Sequence, residues 1–187
     1  EGTPVPEESV FDEFEFNFGA IQAWVKVVYY EDPAFSGIGW GSAMIYADST
    51  EKDLLWKSPR FEDVNPANSN MAADSGFGYP ILLIGWGVGM HGVRYYPVVH
   101  LADGFQMPPI IGEDGYNEEG FFSDGGGVIP WPGGWILAGR RIYDGPNQSE
   151  IYVYRFDGKR YYLAKIITTE EEMDKWIRSL TPTGSPI

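Results

Sequence analysis

The amino-acid sequence predicts an all-β protein, an antiparallel meander of about nine to ten strands with one C-terminal helix packed on it. Three observations carry this. The stretch 135–167, WILAGRRIYDGPNQSEIYVYRFDGKRYYLAKII, places runs rich in Ile, Val, Tyr and Phe between turn-forming clusters. Across the chain 24 glycines and 14 prolines cut the apolar runs to strand length. Only the segment 169–180 carries a helical apolar period.

A chain of 187 residues suits one domain with a full core. The opening EGTPVPEES is rich in Pro, Glu and Ser, so residues 1–12 read as a tether, 13–180 as the domain and 181–187 as a tail. Phe14, Phe16 and Phe18 alternate with Glu13, Glu15 and Asn17, a strand with one buried and one wet face. IQAWVKVVYYE at 21–31 continues as a longer strand that Asp32-Pro33 breaks. Shorter strands follow at 42–47 and 53–57, and 58–79 reads as a long loop because Asn65-Pro66, Asn68, Asn70 and Ser75-Gly76 are turn residues. Strands resume at 80–86 and 93–101, joined by a glycine-rich turn at 87–92. Asp103-Gly104 is a two-residue turn that would set His100 opposite Met107, and 105–111 returns as an edge strand on account of Pro108-Pro109. A second long loop occupies 112–134.

In the 135–167 unit, strands at 135–143, 151–156 and 159–167 are separated by Asp144-Gly145-Pro146-Asn147 and by Asp157-Gly158. A type I′ turn at Asp157-Gly158 would oppose Tyr154 to Tyr161, Tyr152 to Leu163 and Arg155 to Arg160. Both faces of that hairpin are then largely apolar, so it is buried on both sides. The helix opens with Thr169 and Glu172 at capping-box spacing, and Met173, Trp176, Ile177 and Leu180 form one stripe that docks on the sheet.

Asp48, Asp103 and Asp157 recur at a spacing of about 55 residues, close to the period of propeller blades. The strands therefore group as three propeller-like units, or as a meander barrel. The tetrapeptide Ile38-Gly39-Trp40-Gly41 also recurs, as Ile84-Gly85-Trp86-Gly87, out of phase with that spacing. Residues 154–161, YRFDGKRY, resemble the strand–Asp-Gly–strand segments of exported bacterial β-propeller repeats of the integrin-like (FG-GAP/VCBS) type. The resemblance covers one hairpin well and the other units loosely, and the alternating aspartates of that family's calcium loop are absent here.

With 13 Lys and Arg against 27 Asp and Glu, the formal charge is −14, which disfavours nucleic-acid backbones and anionic membranes as partners. No apolar run is long enough to span a bilayer, and the absence of cysteine removes thiolate chemistry and disulfides. Abundant Trp, Tyr, Gly and Asn with few Lys lead to the expectation of an extracellular or periplasmic protein, from a precursor that could carry a lipid anchor.

His91 and His100 are the only histidines; neither has zinc spacing, and no nucleophile-elbow sequence accompanies them. His100 reads as a partly buried strand residue and His91 as an exposed one in GVGMHG. Asp114, Asn117 and Glu118 offer oxygen ligands for calcium, without the spacing of an EF-hand; no other cofactor is expected. Trp40, Trp86 and Trp131, with Tyr116 and His91, form the candidate ligand-binding set, because indoles beside glycines or prolines suit sugar faces. These observations favour a non-catalytic exported binding module for a glycan or a surface protein, with oligomerisation open. The alternatives are an acid-pair hydrolase of glycosidase type and a structural part of a surface assembly.

Overall fold

A computed structural model of the chain describes residues 8–74, 80–89, 91–124, 127–142 and 148–180. Among these are fifteen strands and one helix. The first sheet contains β1 (Glu8–Asn17), β2 (Gln22–Asp32), β3 (Phe35–Tyr46), β4 (Leu54–Lys57), β5 (Phe61–Asp74), β6 (Ile81–Val88), β7 (Gly92–Leu101), β8 (Gly104–Gln106) and β11 (Phe121–Ser123). The second contains β9 (Ile110–Ile111), β10 (Asn117–Glu118), β12 (Val128–Trp131), β13 (Trp135–Ile142), β14 (Gln148–Phe156) and β15 (Tyr161–Ile167), followed by α1 (Glu170–Leu180). The protein is all-β with one helix near its C-terminus. Neither sheet's strand order closes on itself among the described residues. The strands assigned to the first two sequence units lie in the first sheet, except the end of the 105–111 stretch, which joins those of the third unit in the second.

Alternation along the strands turns the two sheets into a stack of layers. In β2, Ala23, Val25, Val27 and Tyr29 point into a first core, where they meet Leu82, Ile84 and Trp86 of β6. The other face of β6, Ile81 and Leu83, joins a second core with Ile136, Tyr154 and Tyr161 of the second sheet. A third core lies on the far side of that sheet, where Leu137, Val153 and Ile167 meet Trp176 of α1. So β6 is covered on both faces, which explains its uninterrupted apolar sequence ILLIGWGV. The first sheet can cover itself because β5 turns a corner. Val64 and Phe61 pair with β3, Asn65 and the stretch from Asn70 to Asp74 pair with β6, and the register slips between Asn65 and Asn70. Such irregularities are where a strand passes from one layer to the next.

Several local expectations are corrected. Residues 8–12 are not tether but the first half of β1, paired to β2 from Glu8 onward. The loop expected at 58–79 holds β5, since its Asn and Pro residues mark the corner rather than the absence of a strand. The loop expected at 112–134 holds β10, β11 and β12. The single strand expected at 105–111 is two: Pro108-Pro109 donates no hydrogen bonds, and the chain crosses there from β8 in one sheet to β9 in the other. There β9 runs parallel to β15, and Tyr161 N–H donates to the Pro109 carbonyl at 2.8 Å.

The turn at Asp157 is also displaced. Phe156 opposes Tyr161, Tyr154 opposes Leu163 and Arg155 opposes Tyr162. The two-residue loop is therefore Gly158-Lys159, with a positive φ (96°) at Gly158 and none at Asp157, the pattern of a type II′ turn. Asp157 is held outside the loop because its carboxylate accepts the Lys159 and Arg160 N–H groups at 2.9 and 3.0 Å. Arg160 pairs with that same carboxylate and does not face Arg155. The hairpin is buried on both sides, with Tyr154 in the second core and Val153 in the third. Likewise His100 opposes Phe105 rather than Met107, because Ala102-Asp103 forms the turn and Gly104 takes the positive φ (101°). The expected turn at 144–147 and the tail at 181–187 lie outside the described residues.

The helix forms where the capping residues place it. Thr169 Oγ1 accepts the Glu172 N–H at 3.2 Å, and the Glu172 carboxylate reaches back to Thr168 N–H and Oγ1. These donors, the Thr168 N–H foremost, hold the Glu172 carboxyl below its ordinary range. The Trp176 indole meets Trp135 edge-to-face at 5.6 Å.

Candidate functional site: the outward face and tip of the first sheet

The outward residues of β2 and β3 are large and only partly covered. Trp24, Lys26 and Tyr30 on β2 and Trp40, Met44 and Tyr46 on β3 are half-buried, opposite an inward set of small or fully buried residues. At one end of this face Tyr30 and Trp40 stack across the strands, with centroids 3.7 Å apart and planes 13° from parallel. Arg60 lies 4.4 Å over the Trp40 ring. The Glu8 carboxylate accepts the Tyr30 hydroxyl. Burial first, and then that carboxylate, push the Tyr30 phenol up to about 12. Further along, the Lys26 ammonium bonds Glu51 at 2.8 Å, which raises the Lys26 pKa.

Beyond the stack, the β2–β3 connection presents two bare apolar side chains. Phe35 is 63% exposed and Ile38 44%. The register passes from Glu31–Gly39 to Asp32–Phe35, so residues 36–38 form an extra loop on β3. Two side chains fix that loop. Asp32 Oδ1 accepts the Ala34 N–H at 2.8 Å, and Glu31 Oε1 accepts the Gly37 N–H at 2.9 Å. Gly37 has a positive φ of 77°, which a side chain would resist. Phe35 and Ile38 are thus exposed on a pre-shaped turn.

A second constellation lies within the second sheet and includes one residue, Glu118, of the stretch 112–134. Tyr154 donates to Glu118 at 2.9 Å and accepts from Arg140 at 3.0 Å, while Arg140 sits 3.6 Å from Glu118. The Arg140 guanidinium also covers the Tyr152 ring at 3.8 Å, and Tyr152 donates to Glu150 at 3.1 Å. Burial, reinforced by Glu118, pushes the Tyr154 phenol far above its ordinary range. Each carboxylate here already accepts a tyrosine hydroxyl, and the network ties β10, β13 and β14 together. A groove of about 340 Å³ lies beside the start of α1, floored by Ile151, Ile167 and Met173 and rimmed by Ser149, Thr168 and Glu170. None of the candidate ligand or metal residues read from sequence lines it.

The sequence-derived site residues are dispersed. Trp86 is 0% exposed and packs on Phe11 and Phe61, so it offers no face to a ligand; it is core. Trp40 is at the surface, but Tyr30 and Arg60 occupy its two broad sides. Trp131 is half-buried against Trp176. His91 is exposed in the turn after β6, and Tyr116, 78% exposed, stands in the turn between β9 and β10. Asp114 and Asn117 are exposed near Tyr116, but Glu118 is drawn away to Arg140 and Tyr154. Among the described residues no group of three acidic or histidine side chains gathers to hold a metal ion. Sequence reasoning passed over Phe35, Ile38, Tyr30 and Arg60. The signal lay in the Asp32-Pro33 turn, followed by two large apolar residues around a glycine.

No helix is long and apolar enough to cross a membrane among the described residues. No known protein family, curated protein or solved structure matches the chain.

Proposed function

We propose that this chain is a non-catalytic, exported binding module that engages a protein partner through the β2–β3 tip and the aromatic face behind it. The exposure of Phe35 and Ile38 on a turn held by Asp32 and Glu31 carries the reading. A large apolar side chain on a pre-shaped loop can be desolvated at little entropic cost, which is what an interface anchor needs. Glycan stacking on the tryptophans has less support, because it requires a free ring face. The remaining glycan candidate is Tyr116, whose exposure in an acidic turn suits a single sugar contact. Export rests on the abundance of Trp, Tyr, Gly and Asn with few Lys.

The test is a photo-crosslinking residue placed at Phe35, with a control at Lys159 on the second sheet. A partner captured at 35 and not at 159 is then titrated against the Phe35→Ala/Ile38→Ala variant. We expect at least tenfold weaker binding by a variant that melts like the parent. Unchanged affinity, or capture only at 159, overturns the reading.

A further inference from the structure

We infer that β1 is a docking edge for an added strand, and that the segment it takes alternates basic and apolar residues. The inference rests on the interaction-module reading but uses a different part of the molecule. Among the described residues β1 pairs only with β2, so its other edge presents unpaired backbone donors and acceptors. The other terminal or branch strands of the two sheets, β4, β8, β10, β11 and β12, are two to four residues long, whereas β1 has ten. Proteins usually blunt an edge by shortening it or by placing lysine or proline on it. Here β1 has neither lysine nor proline, and its one irregularity lies between Val10 and Asp12. Asp12 to Asn17 then run in unbroken register with Val27 to Gln22.

The pleat of that stretch specifies the partner. Phe14 and Phe16 lie on the inward side, packed against the first core but only half-covered. Glu13 and Glu15 lie on the outward side and are exposed. A strand laid beside β1 keeps the same alternation, so its inward residues lie next to the phenylalanine rings and its outward residues next to the two glutamates. Apolar residues suit the first set and Lys or Arg the second. A second copy of this chain offering the same edge would bring glutamate to glutamate, which disfavours self-pairing. Strand addition supplies affinity from main-chain hydrogen bonds and specificity from alternate side chains.

The probe is a fluorescent eight-residue peptide alternating Lys and Val, with a Glu/Val peptide as control. Binding to the intact chain is followed by anisotropy at low and high salt, and the site by hydrogen exchange. The Lys/Val peptide is expected to bind, to weaken as salt rises and to slow exchange in residues 12–17. Glu13→Gln/Glu15→Gln is expected to weaken it about tenfold without altering the melt. Equal binding of the Glu/Val peptide, or protection elsewhere than β1, overturns the inference. So does absence of binding. The Phe35→Ala/Ile38→Ala variant separates the two proposals: peptide binding that survives it supports the edge whatever becomes of the tip. Peptide binding lost in that variant and kept in the Glu13→Gln/Glu15→Gln variant overturns the edge and leaves the tip reading standing.

Discussion

The tetrapeptide Ile-Gly-Trp-Gly occurs twice, at 38–41 and 84–87, and its two copies have opposite fates. In β3 the tryptophan points outward, stacked between Tyr30 and Arg60 at the surface. In β6 it points into the first core and is fully enclosed. The copies also touch: a Cβ at Gly41 would come within 2.3 Å of the Trp86 ring, so the glycine of one makes room for the indole of the other. Ile38 is left bare at the tip, whereas Ile84 is buried. Identical local chemistry therefore does not decide burial. The position of the strand in the stack does, since β6 is covered on both faces and β3 on one.

The largest test of this contrast is Trp86→Ala. Removing a fully enclosed indole should cost roughly 3–5 kcal/mol, read as a lower denaturation midpoint. A loss as small as that of a surface tryptophan would break the comparison. Next is Gly41→Ala, which should cost about 1–3 kcal/mol through overpacking. Its effect should shrink when combined with Trp86→Phe, because the smaller ring vacates the contested space. Additive losses in the double-mutant cycle would mean that Gly41 matters for its backbone alone.

Trp40→Ala should cost only about 1 kcal/mol, the combined scale of an exposed ring stack and a cation–π contact. The variant's denaturation midpoint should stay close to the parent's, and a fall as large as that of Trp86→Ala would place the Trp40 ring inside.

The smallest effect concerns pH. Tyr30 ionises near 12 in the folded chain, against about 10 for a free phenol. A raised pKa means that its contribution to stability is complete below pH 10 and is lost as pH rises towards 12, where the unfolded chain ionises first. A tyrosinate absorbance titration should lose a phenol ionising near 12 in Tyr30→Phe and see that phenol shift lower in Glu8→Gln, while the still later Tyr154 phenol stays in both. A Tyr30 transition at the ordinary phenol position would separate it from Glu8 and weaken the account of the outer face.

Sequence reasoning succeeded where one residue's neighbours in the chain settle the matter. Thr169 and Glu172 cap the helix across a single turn, and its apolar stripe reaches the sheet through Trp176. It failed by two residues at the last hairpin because two local solutions compete. Asp157-Gly158 suits one turn type, but the Asp157 carboxylate prefers the N–H groups of Lys159 and Arg160, which moves the loop to Gly158-Lys159. It also read 58–79 as a loop, since Asn65-Pro66 signals a turn in any short window. Only β3 on one side and β6 on the other make that stretch a strand with a corner. Of the candidate calcium ligands, Glu118 is engaged in a way that short windows do not reveal. Glu118 is drawn to Arg140 and Tyr154, from strands far along the chain.

By itself the sequence determined the all-β class, the single capped helix and the two-sided burial of the last hairpin, because these follow from period, turn chemistry and apolar content within short windows. The tertiary structure alone decided that the first sheet bends over β6 and that Trp86 is interior while Trp40 is not. It also decided that Phe35 and Ile38 are exposed at a tip and that, among the described residues, β1 is the long terminal strand of its sheet. Each of these depends on which distant strand lies alongside, and periodicity records only that a face needs covering, not what covers it.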